Sequence, residues 1–285
     1  MRTRILLVGI AAVSVTALLG CSSGADNNSA ATPTMSHSSG DSMGDMPMVS
    51  GAGLAATVNG YTFTPKAMSM AGMAMPAPFT ITKNGKPVTA FTREQTKLMH
   101  FYLIRADLTG FQHLHPTMRP DGRWSVQPSE LSAGKYRMYV QFIPTAAKSA
   151  GALVLSRPFE ISGKAARSAA VSPPANKVSV DGYTLTLAGR PKAGSESPLT
   201  ITVDKNGLPV TDLQPYLDTY AHVTAFRKGN LAFAHLHPTG NVSGAHGGPK
   251  LTLHADLPQS GRYRMFVQFQ TAGQLHTAAF TISAM

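Results

Sequence analysis

From residue 54 onward, apolar and polar positions alternate with a period of two over short runs. The run Tyr136-Arg137-Met138-Tyr139-Val140-Gln141-Phe142 sends Tyr136, Met138, Val140 and Phe142 to one face of a strand. Arg137, Tyr139 and Gln141 fall on the opposite, amphipathic face, which is placed to border a site. Similar runs rich in Thr, Val, Tyr and Phe are separated by Asn-Gly, Asp-Gly, Lys-Gly or Pro turns. About seven such strands per unit predict an all-β fold of two-sheet antiparallel sandwiches, immunoglobulin-like but without a disulfide.

The pattern occurs twice. Gly60-Tyr61-Thr62-Phe63-Thr64 returns as Gly182-Tyr183-Thr184-Leu185-Thr186, and Asn84-Gly85-Lys86-Pro87-Val88-Thr89 as Asn206-Gly207-Leu208-Pro209-Val210-Thr211. The Tyr-Arg-Met-(Tyr/Phe)-Val-Gln-Phe strand recurs at Tyr263-Arg264-Met265-Phe266-Val267-Gln268-Phe269. A period above ~100 residues means tandem domains, not a solenoid. The expected organisation is 53–164 for the first sandwich, 165–176 for a Pro-containing linker and 177–285 for the second.

Ahead of the sandwiches, Met1-Arg2-Thr3-Arg4 is a positive cap on an apolar run from Ile5 to Leu19. That run is too short for a membrane span and reads as an export signal over 1–20. It ends in Leu18-Leu19-Gly20-Cys21, which resembles a bacterial lipobox. The resemblance implies cleavage before Cys21, lipidation of its sulfur, and a location on the outer face of the cell membrane. Cys21 is the single cysteine, so an intrachain disulfide and a cysteine metal site are both excluded. Residues 21–52, rich in Ser, Gly, Asn and Met, carry no apolar periodicity and predict a flexible tether. The formal net charge of +11 is spread without Lys/Arg blocks or interleaved aromatics, which argues against a nucleic-acid partner.

Candidate chemistry lies in methionine and histidine. Eight of the 14 methionines fall between residues 35 and 75, and Met68, Met70, Met73 and Met75 form a cluster beside Gly72 and Pro76. Thioethers on a segment with no core to enter suit Cu+. The pentapeptide His-Leu-His-Pro-Thr appears at His113–Thr117 and again at His235–Thr239, each copy 13 residues after a further histidine, His100 and His222. A His-x-His pair on a strand points both rings the same way. With Phe226 paired to Leu231 around Arg227-Lys228-Gly229-Asn230, His222 would lie opposite His235, and His100 opposite His113 by analogy. This predicts two separate triads, His100/His113/His115 and His222/His235/His237, each a candidate site for Cu2+ or zinc, with His276 as an additional ligand in the second. The alternative is a set of half-buried, hydrogen-bonded structural histidines. His246 and His254 read as solvated loop residues.

Asn84-Gly85-Lys86-Pro87-Val88-Thr89, Met99-His100, the two His-Leu-His-Pro motifs and the duplicated Tyr-Arg-Met strand resemble the heavy-metal-binding, YtkA-like secreted or lipid-anchored proteins of actinobacteria. The resemblance covers roughly residues 54–163 and 177–284, and implies an immunoglobulin-like sandwich with a metal-binding role. Two readings follow. One is a lipid-anchored envelope protein that buffers, stores or delivers copper, with another envelope metal-handling protein as partner. The other is a non-catalytic interaction or structural module. An enzyme is not expected, because His-Glu-x-x-His and Gly-x-Ser-x-Gly motifs are lacking and no carboxylate sits at a telling distance from the histidines.

Overall fold

A computed structural model describes residues 52–66, 76–164, 170–240 and 242–285, with His237 described by its backbone only. The signal, Cys21, the tether up to residue 51 and the Met68–Met75 cluster lie outside the described residues. The first copy contains β1 (Thr57–Val58), β2 (Tyr61–Pro65), β3 (Ala77–Lys83), β4 (Lys86–Pro87), β5 (Phe91–Thr92), β6 (His100–Arg105), β7 (Gln112–Leu114), β8 (Thr117–Met118), β9 (Arg123–Val126), β10 (Gly134–Pro144) and β11 (Leu153–Ile161). The second continues with β12 (Lys177–Val180), β13 (Tyr183–Ala188), β14 (Ser197–Lys205), β15 (Leu208–Pro209), β16 (His222–Arg227), β17 (Phe233–Pro238), β18 (Lys250–Ala255), β19 (Gly261–Thr271) and β20 (Gln274–Ala284).

The Asx-Gly pairs make the turns their chemistry suits. Asn59-Gly60, Asn84-Gly85, Asp181-Gly182 and Asn206-Gly207 all have positive φ at both positions, and each joins adjacent antiparallel strands by a two-residue loop. In the first copy one sheet runs β1-β2-β3-β9-β8 and the other β11-β10-β6-β7. The chain changes sheets between β7 and β8, at His115-Pro116. In the second copy β17 is unbroken and pairs with both β16 and β18, so the two layers join along one edge. Both copies are immunoglobulin-like antiparallel sandwiches.

Each sandwich has its own core. Phe63, Phe79, Phe101, Trp124, Met138 and Phe142 are central in the first, and Leu185, Ile201, Val223, Met265, Phe269 and Phe280 in the second. A third apolar cluster joins the copies: Tyr102, Tyr139, Phe226, Phe233 and Phe266 are buried between them. These side chains come from the outer faces of β6, β10, β16, β17 and β19, so both faces of these strands are buried. The segment before β1 is laid across the junction: Phe233 N donates to the Ala52 carbonyl (2.9 Å) and Ser156 N to that of Ala55 (2.8 Å).

Two turns correct the expected register. Phe226 pairs with Phe233 rather than Leu231, and Tyr102 rather than His100 is opposite His113. The loop after β16 takes in Leu231 at φ 60°, and the loop after β6 takes in Leu108 at φ 65°. Both leucines are driven into the third apolar cluster, which holds a conformation unfavourable to a bulky residue. The displacement is two residues, and a two-residue shift keeps every side chain on its expected face.

Candidate metal centre

The outer faces of β6 and β16 bring His100 and His222 to the junction, where both are fully buried. β7 and the turn after it add His113 and His115, and β17 adds His235, 5% exposed. Ring centroids of His100 lie 5.3, 5.2 and 5.5 Å from those of His113, His115 and His222. His113 is 4.7 Å from His115 and 4.5 Å from His222, which is 4.8 Å from His235. Five of the six histidines expected at two separate corners therefore share one compartment, the side chain of His237 lying outside the described residues. The reason is that the two central sheets pack through their histidine-bearing faces.

His276 does not join them. Its Nδ1 bonds Asp181 (2.8 Å), its Nε2 bonds Thr271 (3.0 Å), and its ring lies against Tyr183 and Phe269. This Asp–His–Thr chain has the connectivity of a nucleophilic triad but the wrong exposure. The Asp181 side chain is half exposed, whereas Thr271 is buried at 3%. His246 is exposed in its loop, whereas His254 is on β18, exposed and bonded to Glu196.

Hydrogen bonds around the cluster fix where its lone pairs point. The Glu94 carbonyl can only accept, so His100 Nε2 donates to it (3.1 Å) and Nδ1 is left as a lone pair. His113 Nδ1 donates to Gln268 Oε1 (2.7 Å), leaving Nε2 as a lone pair. Those two free nitrogens, His100 Nδ1 and His113 Nε2, face each other at 3.0 Å. His222 Nε2 meets the Tyr102 hydroxyl at 3.1 Å, while its Nδ1 is buried with no hydrogen-bond partner among the described residues, as is Nε2 of His115. One nitrogen each from His100, His113 and His222 lies within 4.8 Å of the others. Tetrahedral coordination with arms of ~2.0–2.1 Å needs donor separations of ~3.4 Å, so the donors must close by up to about 1.4 Å to share an ion.

A proton is a poor occupant of this space. Burial pushes His100 down to about 4 and His115 to about 3, and holds His113 and His222 well below the ordinary histidine value. Neighbouring rings and Lys97 add to the effect. The rings are neutral and ligand-competent at physiological pH.

Two features lay beyond sequence reasoning. Gln141 and Gln268, equivalent residues of β10 and β19, cross the junction: Gln268 holds His113 of the first copy, and Gln141 Nε2 approaches His235 Nδ1 of the second at 2.9 Å. Their matching positions in the repeated strand were the available signal. Glu94 is the other. Besides its carbonyl bond to His100, its carboxylate accepts from Gln141 Nε2 at 3.1 Å. Burial raises that carboxyl above the ordinary range. Six residues ahead of His100 and outside the recurring motifs, it gave no signal in the sequence.

Fold and site together define a tandem β-sandwich protein with a buried imidazole cluster between its copies. The chain belongs to the family described as a domain of unknown function, DUF8832, which matches twice, at residues 56–155 and 178–285. No curated protein matches the chain. Among solved structures, a DUF4426 family protein of Pseudomonas aeruginosa PAO1 is 9% identical, covering 38% of this chain and 96% of that one at TM-score 0.29. Yersinia pseudotuberculosis InvD is 14% identical over 80% of this chain and 58% of its own, TM-score 0.25. Domains 4 and 5 of the S-layer protein SbsC are 12% identical over 79% of this chain and 97% of theirs, TM-score 0.23. At these scores the likenesses carry no argument about function. No helix among the described residues is long and apolar enough to cross a membrane.

Proposed function

We propose that this is a non-catalytic metal-binding protein of the cell envelope, tethered by lipid on Cys21, that buffers, stores or delivers copper. The ion is held by His100, His113 and His222, with His115 and His235 beside them. The observation that carries the reading is the two lone pairs facing each other at 3.0 Å, one on fully buried His100 and one on partly buried His113, each fixed by a hydrogen bond on the far side of its ring. Two acceptors so arranged repel unless a proton or a metal ion lies between them, and burial opposes the proton. Imidazole donors suit Cu2+ and Zn2+, and the methionines at 68, 70, 73 and 75 would supply soft donors for Cu+ during transfer to another envelope metal-handling protein. The resemblance to YtkA-like proteins points the same way.

The test is metal retention. After loading with Cu2+ or Zn2+ and desalting, the purified protein is expected to keep one ion per chain, counted by mass spectrometry of the metal. The paired substitutions His113→Ala and His222→Ala are expected to abolish retention. A folded wild-type protein that keeps no metal would overturn the proposal and leave the cluster as packing between the sandwiches.

A further inference from the structure

Resting on that metal reading, we infer that Glu94 is the counter-charge of the centre and biases it toward a divalent ion. Burial keeps the rings of His100, His113, His115 and His222 neutral, so an incoming ion would bring its whole charge into the compartment. An uncompensated charge there is costly. Glu94 is tied to the cluster at two points: its carbonyl receives the His100 proton at 3.1 Å, and its carboxylate receives the Gln141 amide at 3.1 Å. The same amide nitrogen lies 2.9 Å from His235 Nδ1, so the carboxylate reaches the far end of the cluster through one side chain.

The second copy does not duplicate this arrangement. Tyr216 occupies the position equivalent to Glu94, 122 residues on, within the same kind of short bridged turn. At this position the compensating charge comes from the first copy alone, although both copies supply imidazoles. A single negative charge offsets part of a dication and all of a monocation. Its removal must then weaken the more highly charged ion more, because the electrostatic term scales with ionic charge.

The experiment compares wild type with Glu94→Gln and Glu94→Asp. Glutamine retains an oxygen that can accept from Gln141, and the backbone bond to His100 is untouched, so thermal unfolding of the metal-free variant checks that the fold is kept. Competition titrations with Cu2+, Zn2+ and Cu+ are then read separately. Glu94→Gln is expected to lose about 10- to 100-fold in Cu2+ and Zn2+ affinity, the usual range for groups behind the ligands. Cu+ affinity should fall by about 10-fold less than that of Cu2+, raising the copper potential by about 59 mV. Glu94→Asp should restore most of the difference. Equal losses for all three ions, or none, would overturn the inference while leaving the metal site standing. Absence of binding to the wild-type protein would instead remove the site on which the inference rests.

Discussion

At the residue scale, the buried imidazoles couple stability to pH. His100 has a folded value of about 4, whereas an unfolded chain returns it to ~6.5. Between those values the unfolded state binds more protons, so stability rises with pH and is lost as pH falls from ~6.5 toward 4. His113, His115 and His222 are shifted in the same direction, so their contributions accumulate. Each ring adds up to ~1.4 kcal/mol per pH unit within its own window. Urea unfolding of the metal-free protein at about pH 7, 6 and 5 should show a steep decline. His100→Gln should flatten the slope by roughly one ring's share. An identical slope in that variant would mean that His100 is not the neutral buried base inferred from its surroundings.

At the element scale, the central strands β10 and β19 each present a glutamine to the other copy. Gln268 accepts the proton of His113 Nδ1, which keeps Nε2 turned into the compartment. Gln268→Leu should strand that N–H without an acceptor, costing ~1–3 kcal/mol by chemical denaturation. Metal affinity should also fall by about 10- to 100-fold, because the ring loses the bond that fixes its tautomer. A variant with unchanged affinity would show that His113 needs no such support. The strand alternation that put Gln141 on the outer face was legible in the sequence, as were the Asx-Gly hairpins and the duplication. The pairing register was not, because Leu108 and Leu231 are poor turn residues in isolation. They accept a left-handed conformation only because their side chains gain a buried place between the copies. The convergence of His100, His113 and His115 with His222 and His235 was hidden for the same reason. Period-two patterning shows which side chains share a face, but not that two such faces will meet.

At the scale of the whole molecule, the centre exists only while the two sandwiches stay joined, since His100 and His113 come from one copy and His222 from the other. The joint is aromatic: Phe266 stacks on Phe111 at 4.1 Å with planes 8° apart, and Tyr139 touches Phe226 and Phe233 while its hydroxyl donates to the Leu231 carbonyl. Phe266 belongs to neither sandwich core, so changing it should strike the joint and spare both folds. Phe266→Asp would bury a carboxylate in this apolar layer, a cost relieved only by parting the copies. Calorimetry of the wild type is expected to give one cooperative transition, because the sandwiches share the third cluster. In Phe266→Asp the transition should split in two, with far-ultraviolet dichroism at low temperature unchanged and metal retention lost. A single transition at the original midpoint, with the ion still held, would show that the joint does not depend on this stack. Two transitions with undiminished metal retention would place the ion within one copy and remove the bridging role of His222.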